Sequence, residues 1–203
     1  ALKARMKTKM SKGSLFIVTG PSGAGKGTVL GRVMPSMEDL HYSVSATTRA
    51  PREGEEDGVN YYFLRKEQFL EMIGQGAFLE HAEYVGNYYG TPAGPVDECL
   101  NKGMDVVLEI EVQGALIVKQ KRPEAKLVFI IPPSFSDLEL RLRSRGTETE
   151  ETIAKRLEKA REEYQMADQY DYIVLNDKVE KAADELRAII LASRCAVGRR
   201  RSA

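Results

Sequence analysis

Four short apolar runs punctuate the chain. Leu15-Phe16-Ile17-Val18 leads into Gly20, and Val106-Val107-Leu108 lies within 105–110. Leu127-Val128-Phe129-Ile130-Ile131 stops at Pro132-Pro133, and Tyr172-Ile173-Val174-Leu175 precedes the last helical stretch. Unalternated apolar runs of this length fit strands covered on both faces, as in a parallel sheet. Between them, apolar positions recur at helical spacing. Val29, Leu30, Val33 and Met34 mark a helix over 26–34, and Phe69, Met72 and Ile73 a short one before Gly74 and Gly76. Further helices are expected over 113–121, 151–167 and 181–197. Another starts at Ser136-Asp137-Leu138-Glu139, which has the capping-box pattern, and is broken at Gly146. Residues 42–48 alternate loosely and read as one extended segment, 53–58 as an acidic turn, and 78–89 as aromatic-rich strand. Strands alternating with helices predict an α/β fold on a parallel sheet, with no internal repeat.

Composition narrows the function classes. The 203 residues suit one domain. At 42% hydrophobic and 30% charged, the chain is not a disordered tail. Lys+Arg and Asp+Glu are both 30, so the chain lacks the basic surplus of proteins that coat nucleic acid or anionic membranes. Anion binding must then be local. Cys99 and Cys195 lack C-x-x-C spacing, which excludes a disulfide scaffold and argues against zinc. No apolar run approaches the roughly 20 residues of a spanning helix. The basic arm 1–12 reads as a frayed end before a single domain over 13–203, and Arg199-Arg200-Arg201 reads as a frayed tail in the same way. No secretory apolar region precedes Gly13, so a cytoplasmic protein is expected. His41, His81, Cys99 and Cys195 read as structural, and the Lys/Glu-rich stretch 155–163 as a solvated helix face.

The most specific local signal is Gly20-Pro21-Ser22-Gly23-Ala24-Gly25-Lys26-Gly27-Thr28, set between an expected strand and an expected helix. Glycines let backbone N–H groups turn toward phosphate oxygens, and the helix N-terminus adds partial positive charge. Lys26 supplies a mobile charge for the β and γ phosphates of a nucleoside triphosphate. The hydroxyl that usually follows the lysine is displaced to Thr28, with Gly27 in its place. One residue is about 100° around a helix, so Thr28 could reach a metal only through water.

A second anion site is suggested by Thr47-Thr48-Arg49-Ala50-Pro51-Arg52. Pro51 biases Ala50 toward extended or polyproline geometry. At three residues per turn, Arg49 and Arg52 point the same way and form a fork for phosphate. The competing outcome is pairing with Glu53, Glu55 or Glu56. Downstream, Tyr61, Tyr62, Glu80, Tyr88, Tyr89 and Thr91 offer hydroxyls and a carboxylate. A carboxylate accepts from guanine N1–H and N2–H but repels the acceptor N1 of adenine. Arg141 and Arg145 are four apart, a repulsive spacing that Asp137 and Glu148 could offset. Arg156 has Thr152, Ile153, Lys159 and Ala160 as helical neighbours, so its own helix gives it no acidic partner. Arginines on both sides of Gly146 suit a lid that closes on transferring phosphates, with 146–151 as its mobile part.

These motifs together resemble bacterial guanylate kinases over about 14–193. The resemblance is carried by G-P-S-G-A-G-K-G-T, S-V-S-A-T-T-R-A-P-R, G-N-Y-Y-G-T, L-E-I-E-V-Q-G-A, P-P-S and R-L-R-S-R-G-T-E-T-E. It implies transfer of the ATP γ-phosphoryl to GMP, and to dGMP, with Mg2+. It implies a P-loop NTPase-type parallel sheet flanked by helices, with core segments 13–40, 97–135 and 168–197. A smaller, strand-rich GMP-binding subdomain would span 41–96 and a helical lid 136–167. By position, Ser45, Glu80 and Thr91 match guanine readers, and Arg49, Arg52, Tyr61 and Tyr89 the GMP phosphate cage. Glu111 matches an acid near the bound nucleoside, and Glu109 the acid of the magnesium-water network. Arg141, Arg145 and Arg156 match phosphoryl-embracing arginines, and Asn176 an adenine contact. The chain departs from many relatives in Gly27, in Glu109 and Glu111 where Asp is frequent, and in Thr91 where some have Ser. The alternatives are a non-catalytic binding module on the same fold, or a kinase of another phosphate ester such as ribose 1,5-bisphosphate.

Overall fold

The computed structural model describes residues 11–144, 149–197 and 199. Residues 1–10 of the basic arm, Arg145, Gly146, the expected helix break at 145–148, Arg200 and Arg201 lie outside the described residues.

Five strands form a parallel sheet: β1 (Leu15–Thr19), β2 (Leu40–Tyr42), β7 (Asp105–Glu109), β8 (Lys126–Ile131) and β9 (Tyr172–Leu175), in the order β2-β7-β1-β8-β9. Phe16 and Val18 of β1 face α1 (Lys26–Val33) and α7 (Val179–Arg194), in one core with Val29, Val33, Leu186 and Ile190. Leu15 and Ile17 face α3 (Ala93–Asn101) and α4 (Val112–Lys121), in a second core with Val96, Leu100, Ala115 and Val118. Both faces are covered, which is why the strands read as unbroken apolar runs.

The segment 42–48 is not one strand. Its first residue ends β2 in the parallel sheet, while Ala46–Thr47 is β3 of a second, smaller sheet. A two-residue alternation cannot tell which sheet a strand joins. The small sheet also holds β4 (Tyr62–Phe63), β5 (Phe78–Tyr84) and β6 (Asn87–Pro92), ordered β4-β3-β6-β5. Residues 78–89 are thus an antiparallel hairpin, turned at Val85 (φ 50°) and Gly86 (φ 74°). Helix α2 (Lys66–Gly74) packs on this sheet through Phe69, whose ring lies 4.4 Å from that of Phe78. Lys121 of α4 ties the start of β5 to the core, donating to the carbonyl oxygens of Leu79 at 2.7 Å and Phe78 at 3.3 Å.

Helices α5 (Phe135–Ser144) and α6 (Glu150–Gln165) bury Leu138, Leu142, Ile153, Leu157 and Ala160 against each other. Helix α5 starts earlier than the capping box at Ser136 predicts. Ser134 Oγ accepts from Asp137 N at 3.0 Å and donates to the Asp137 carboxylate. Pro133 ends the preceding segment, leaving Ser134 as the hydroxyl placed to satisfy an early helical N–H.

The closing helix is fastened to the sheet through one buried acid. Asp105, fully buried, accepts from Ser14 N at 2.8 Å, Arg194 Nε at 2.7 Å and Arg199 Nη1 at 2.6 Å. Removing one partner of such a cluster strands the remaining charges, at about 3 kcal/mol or more. Asp105→Ala is therefore expected to lower the thermal midpoint by about 6–12 °C, checked by calorimetry.

Candidate active site

The glycine-rich loop follows β1, the central strand, and opens into α1. Gly20 has φ 144°, and a Cβ there would sit 2.1 Å from the Ile130 carbonyl oxygen. Gly25 has φ 88°, and its Cβ would meet Asn176 Nδ2 at 2.5 Å. These two positions admit only glycine. Lys26 Nζ lies across the loop, donating to the carbonyl oxygens of Gly20 at 2.6 Å and Pro21 at 3.3 Å.

The outside of the loop is braced. Asn176, buried at the end of β9, donates from Nδ2 to the Ala24 carbonyl at 2.7 Å. Arg141 of α5 donates from Nη1 to the same carbonyl at 3.3 Å and from Nη2 to the Asn176 carbonyl at 2.8 Å. Asp137 is taken by Ser134, so the expected pairing of Asp137 with Arg141 is not made. Asn176 is turned to the loop. The hydroxyl of Ser22 accepts from Arg156 Nη1 of α6.

In front of the loop lies a cleft of about 410 Å³. Of the predicted site residues, Gly20, Ser22, Lys26, Tyr61, Glu109, Glu111 and Arg156 line it. Thr28 does not: it is exposed on α1, and the residue beside the Glu109 carboxylate is Gly27, whose Cβ would lie 3.9 Å from Oε2. The displaced hydroxyl points elsewhere, as a 100° step requires. Tyr42, Lys159 and Glu163 also line the cleft and were not expected there. Tyr42 donates to Glu109 Oε2 at 3.1 Å; burial, then the neighbouring carboxylate, raise its pKa. Lys159 donates to Glu111 Oε2 at 2.7 Å. Glu163 is buried, and burial raises its pKa. Lys159 and Glu163 belong to the stretch that reads as a solvated face in the sequence. Their spacing from Arg156, three and seven residues, was the available signal.

The residues expected to form the second anion site lie on and beside the small sheet. Glu80 and Thr91 are register partners on β5 and β6, and Thr91 Oγ1 donates to Glu80 Oε1 at 2.7 Å. Burial raises the Glu80 pKa above the usual carboxylate range. The carboxylate fits because α4 has Gly114 opposite it; a Cβ there would stand 3.0 Å from Glu80 Oε2. Ser45 immediately precedes β3 and gives its carbonyl to Tyr62 N. Arg49 lies between aromatic rings, 5.5 Å from the centroid of Tyr61, which meets Tyr89 edge-on at 6.2 Å. Its guanidinium grips Glu55 with both terminal nitrogens, at 3.0 and 2.9 Å. Arg52 is exposed and donates its backbone N–H to Glu55 at 2.7 Å. Hydrogen bonding from Arg49, then from the Arg52 backbone, holds Glu55 below its ordinary pKa. Glu55 is therefore held by the Arg49 guanidinium and by the Arg52 backbone N–H, so the competing pairing is made by the Arg49 side chain. The bidentate grip of Arg49 is the geometry that one guanidinium offers an oxyanion.

Among the described residues, no group of three or more His, Cys, Asp or Glu side chains could enclose a metal. Of the three carboxylates that line the cleft, Glu109 is the one beside Gly27 of the loop. That donor set suits a magnesium ion held mainly by substrate phosphates and water, not a protein cage.

A phosphate loop at the carboxyl end of a central parallel strand, facing an arginine–tyrosine anion pocket across a cleft, defines a P-loop phosphotransferase. The comparisons narrow that class. Residues 12–193 match the family model described as guanylate kinase, and the chain belongs to that family. It is 53% identical over 184 residues to a guanylate kinase of Halalkalibacterium halodurans, covering 91% of this chain and 90% of that one. It is 52% identical over 189 residues to that of Streptococcus pneumoniae R6, covering 93% and 91%. The crystal structure of guanylate kinase from Anaplasma phagocytophilum superposes with a TM-score of 0.74 at 32% identity, covering 93% of this chain and 90% of that one.

Proposed function

We propose that this chain transfers the γ-phosphoryl group of ATP to GMP, giving ADP and GDP. The observation that carries the acceptor is the buried Glu80–Thr91 pair on the small sheet, beside the arginine fork. An ionised, desolvated carboxylate suits the two donors on the guanine edge and disfavours adenine. Ser45 completes that reading. The GMP phosphate replaces the Glu55 carboxylate between Arg49 and Arg52, with Tyr61 and Tyr89 closing the cage.

The loop amides of 20–28 and Lys26 hold the ATP phosphates. Arg141 fixes the loop from behind through Ala24 and Asn176. Arg156 reaches it from α6, and Arg145 is assigned to the same cationic wall by resemblance alone. Glu109 is the carboxylate suited to the water shell of Mg2+, which supplies neutralisation of phosphate charge when bound. A GMP phosphate oxygen attacks the γ-phosphorus in line, and the bond to the β,γ-bridging oxygen breaks, leaving ADP. No protein nucleophile and no proton transfer are needed; the chain supplies position and charge. Helices α5 and α6 act as the lid, excluding water that would otherwise take the phosphoryl group. No helix of the described residues is long and apolar enough to cross a membrane. We place the activity in the cytoplasm, where both nucleotides are available.

ADP release with ATP and magnesium tests this with GMP, dGMP, AMP, UMP and ribose 1,5-bisphosphate as acceptors. Turnover with GMP and dGMP but at least a thousandfold less with AMP is expected. Turnover with the sugar bisphosphate alone would reassign the acceptor. Binding of GMP with no turnover would leave a non-catalytic module.

A further inference from the structure

Helix α6 brings a second basic residue to the cleft. Arg156, Lys159 and Glu163 share one helical face, and all three line the cavity. Lys159 Nζ is 2.7 Å from Glu111 Oε2, so an ion pair spans from the lid to the residue that enters α4 on the core. One turn further along α6, Glu163 is buried against the cavity wall. Its carboxylate lies within the electrostatic reach of Lys159 and Lys26. Lys159 is thus paired with an acid on the core, and Glu163 lines the same cavity one turn further along its helix.

That arrangement decides between two roles. An ammonium facing open phosphate space would act by contact, as Arg156 is placed to do. An ammonium already paired with a carboxylate has less net attraction left for a phosphate, and it holds that acid instead. Glu111 gives Lys159 one oxygen, and the other remains for a ligand. Lid contact and acceptor contact are then compatible, and each orients the same carboxylate for the other. The pair is also weak enough to open in every cycle, since the two side chains are 51% and 74% exposed.

We propose that Lys159 is a positioning residue that couples the acceptor side of the cleft to lid closure through Glu111. This rests on the reading of that side as the GMP site. Lys159→Met should raise KM for GMP about two- to fivefold with kcat within about twofold, and Lys159→Arg should restore KM. The difference from the parent should shrink at about 0.5 M salt, because exposed pairs are screened. Glu111→Gln should remove most of the Lys159→Met effect, so that the double variant matches Glu111→Gln alone.

Amide hydrogen exchange over 150–165 in the substrate-free protein gives a readout independent of the acceptor. Faster exchange in Lys159→Met, with Lys159→Arg unchanged, is expected. Unchanged exchange, or Lys159 and Glu111 effects that multiply, would overturn the coupling. So would a tenfold loss of kcat at constant KM, which would make Lys159 a catalytic contact. Failure of the parent protein to use GMP would overturn the acceptor reading and leave the exchange result standing.

Discussion

Lys26→Ala is expected to lower kcat with GMP by about a thousandfold or more, with the fold intact. A thousandfold corresponds to about 4 kcal/mol of transition-state stabilisation. That is the scale of a charge placed against a phosphoryl group in a site closed to water. In the substrate-free loop, Lys26 spends its ammonium on the carbonyl oxygens of Gly20 and Pro21. Neither bond is needed to shape the loop, because Asn176 and Arg141 brace it at Ala24. The loss should therefore fall on turnover and not on the thermal midpoint. Steady-state ADP formation at saturating GMP, beside a melting curve, checks both halves. Near-normal turnover would remove Lys26 from the mechanism.

The second large effect is at Glu80. Glu80→Gln keeps an acceptor for Thr91 but turns an amide NH2 toward the guanine edge, donor against donor. We expect kcat/KM for GMP to fall about a hundredfold, and the preference for GMP over AMP to fall by at least as much. Binding of ATP, which does not use the acceptor pocket, should be unchanged. The pH profile adds a second check. Burial raises the Glu80 pKa, and only the ionised form accepts both guanine donors. In the parent, kcat/KM for GMP should fall on acidification from a pH above the ordinary glutamate range, and that limb should be missing in Glu80→Gln. An unchanged preference for GMP would move base reading elsewhere.

The legible parts of this protein are the ones that lie within a single stretch of chain. The loop 20–28 carries its whole signature in nine consecutive residues, so its place between a strand and a helix follows directly. The Arg49–Arg52 fork was legible as residues, but its engagement with Glu55 was one of three pairings the sequence left open. The cleft face of α6 was hidden because its charges look the same whether they face water or a cavity. Ile153, Leu157 and Ala160 fix which side faces α5, but they do not say what lies opposite the rest. Tyr42 was hidden for a related reason: its strand belongs to the large sheet, and its hydroxyl meets Glu109 only once that sheet is assembled. For Arg141, helical spacing offered Asp137 as one partner, while the tertiary fold offers two carbonyl groups and leaves Asp137 to a cap.

The anchoring of β5 to α4 sets where the acceptor can be gripped and where it can be released. Lys121 holds Phe78 and Leu79, and Gly114 lets Glu80 nest against the core helix. The strand then runs five residues out to Val85, about 17 Å away. Any rotation of the small sheet about that anchor works as a lever. A turn of about 15° carries the hairpin tip about 4 Å and leaves Glu80 almost still. If Glu80 reads the base as proposed, the base is inspected at the fulcrum, where geometry is constant, and a nucleoside without its phosphate meets the same Glu80 as the full nucleotide. The sweep of the lever belongs to the outer end of the sheet, so selecting the base and enclosing the acceptor are mechanically separate events.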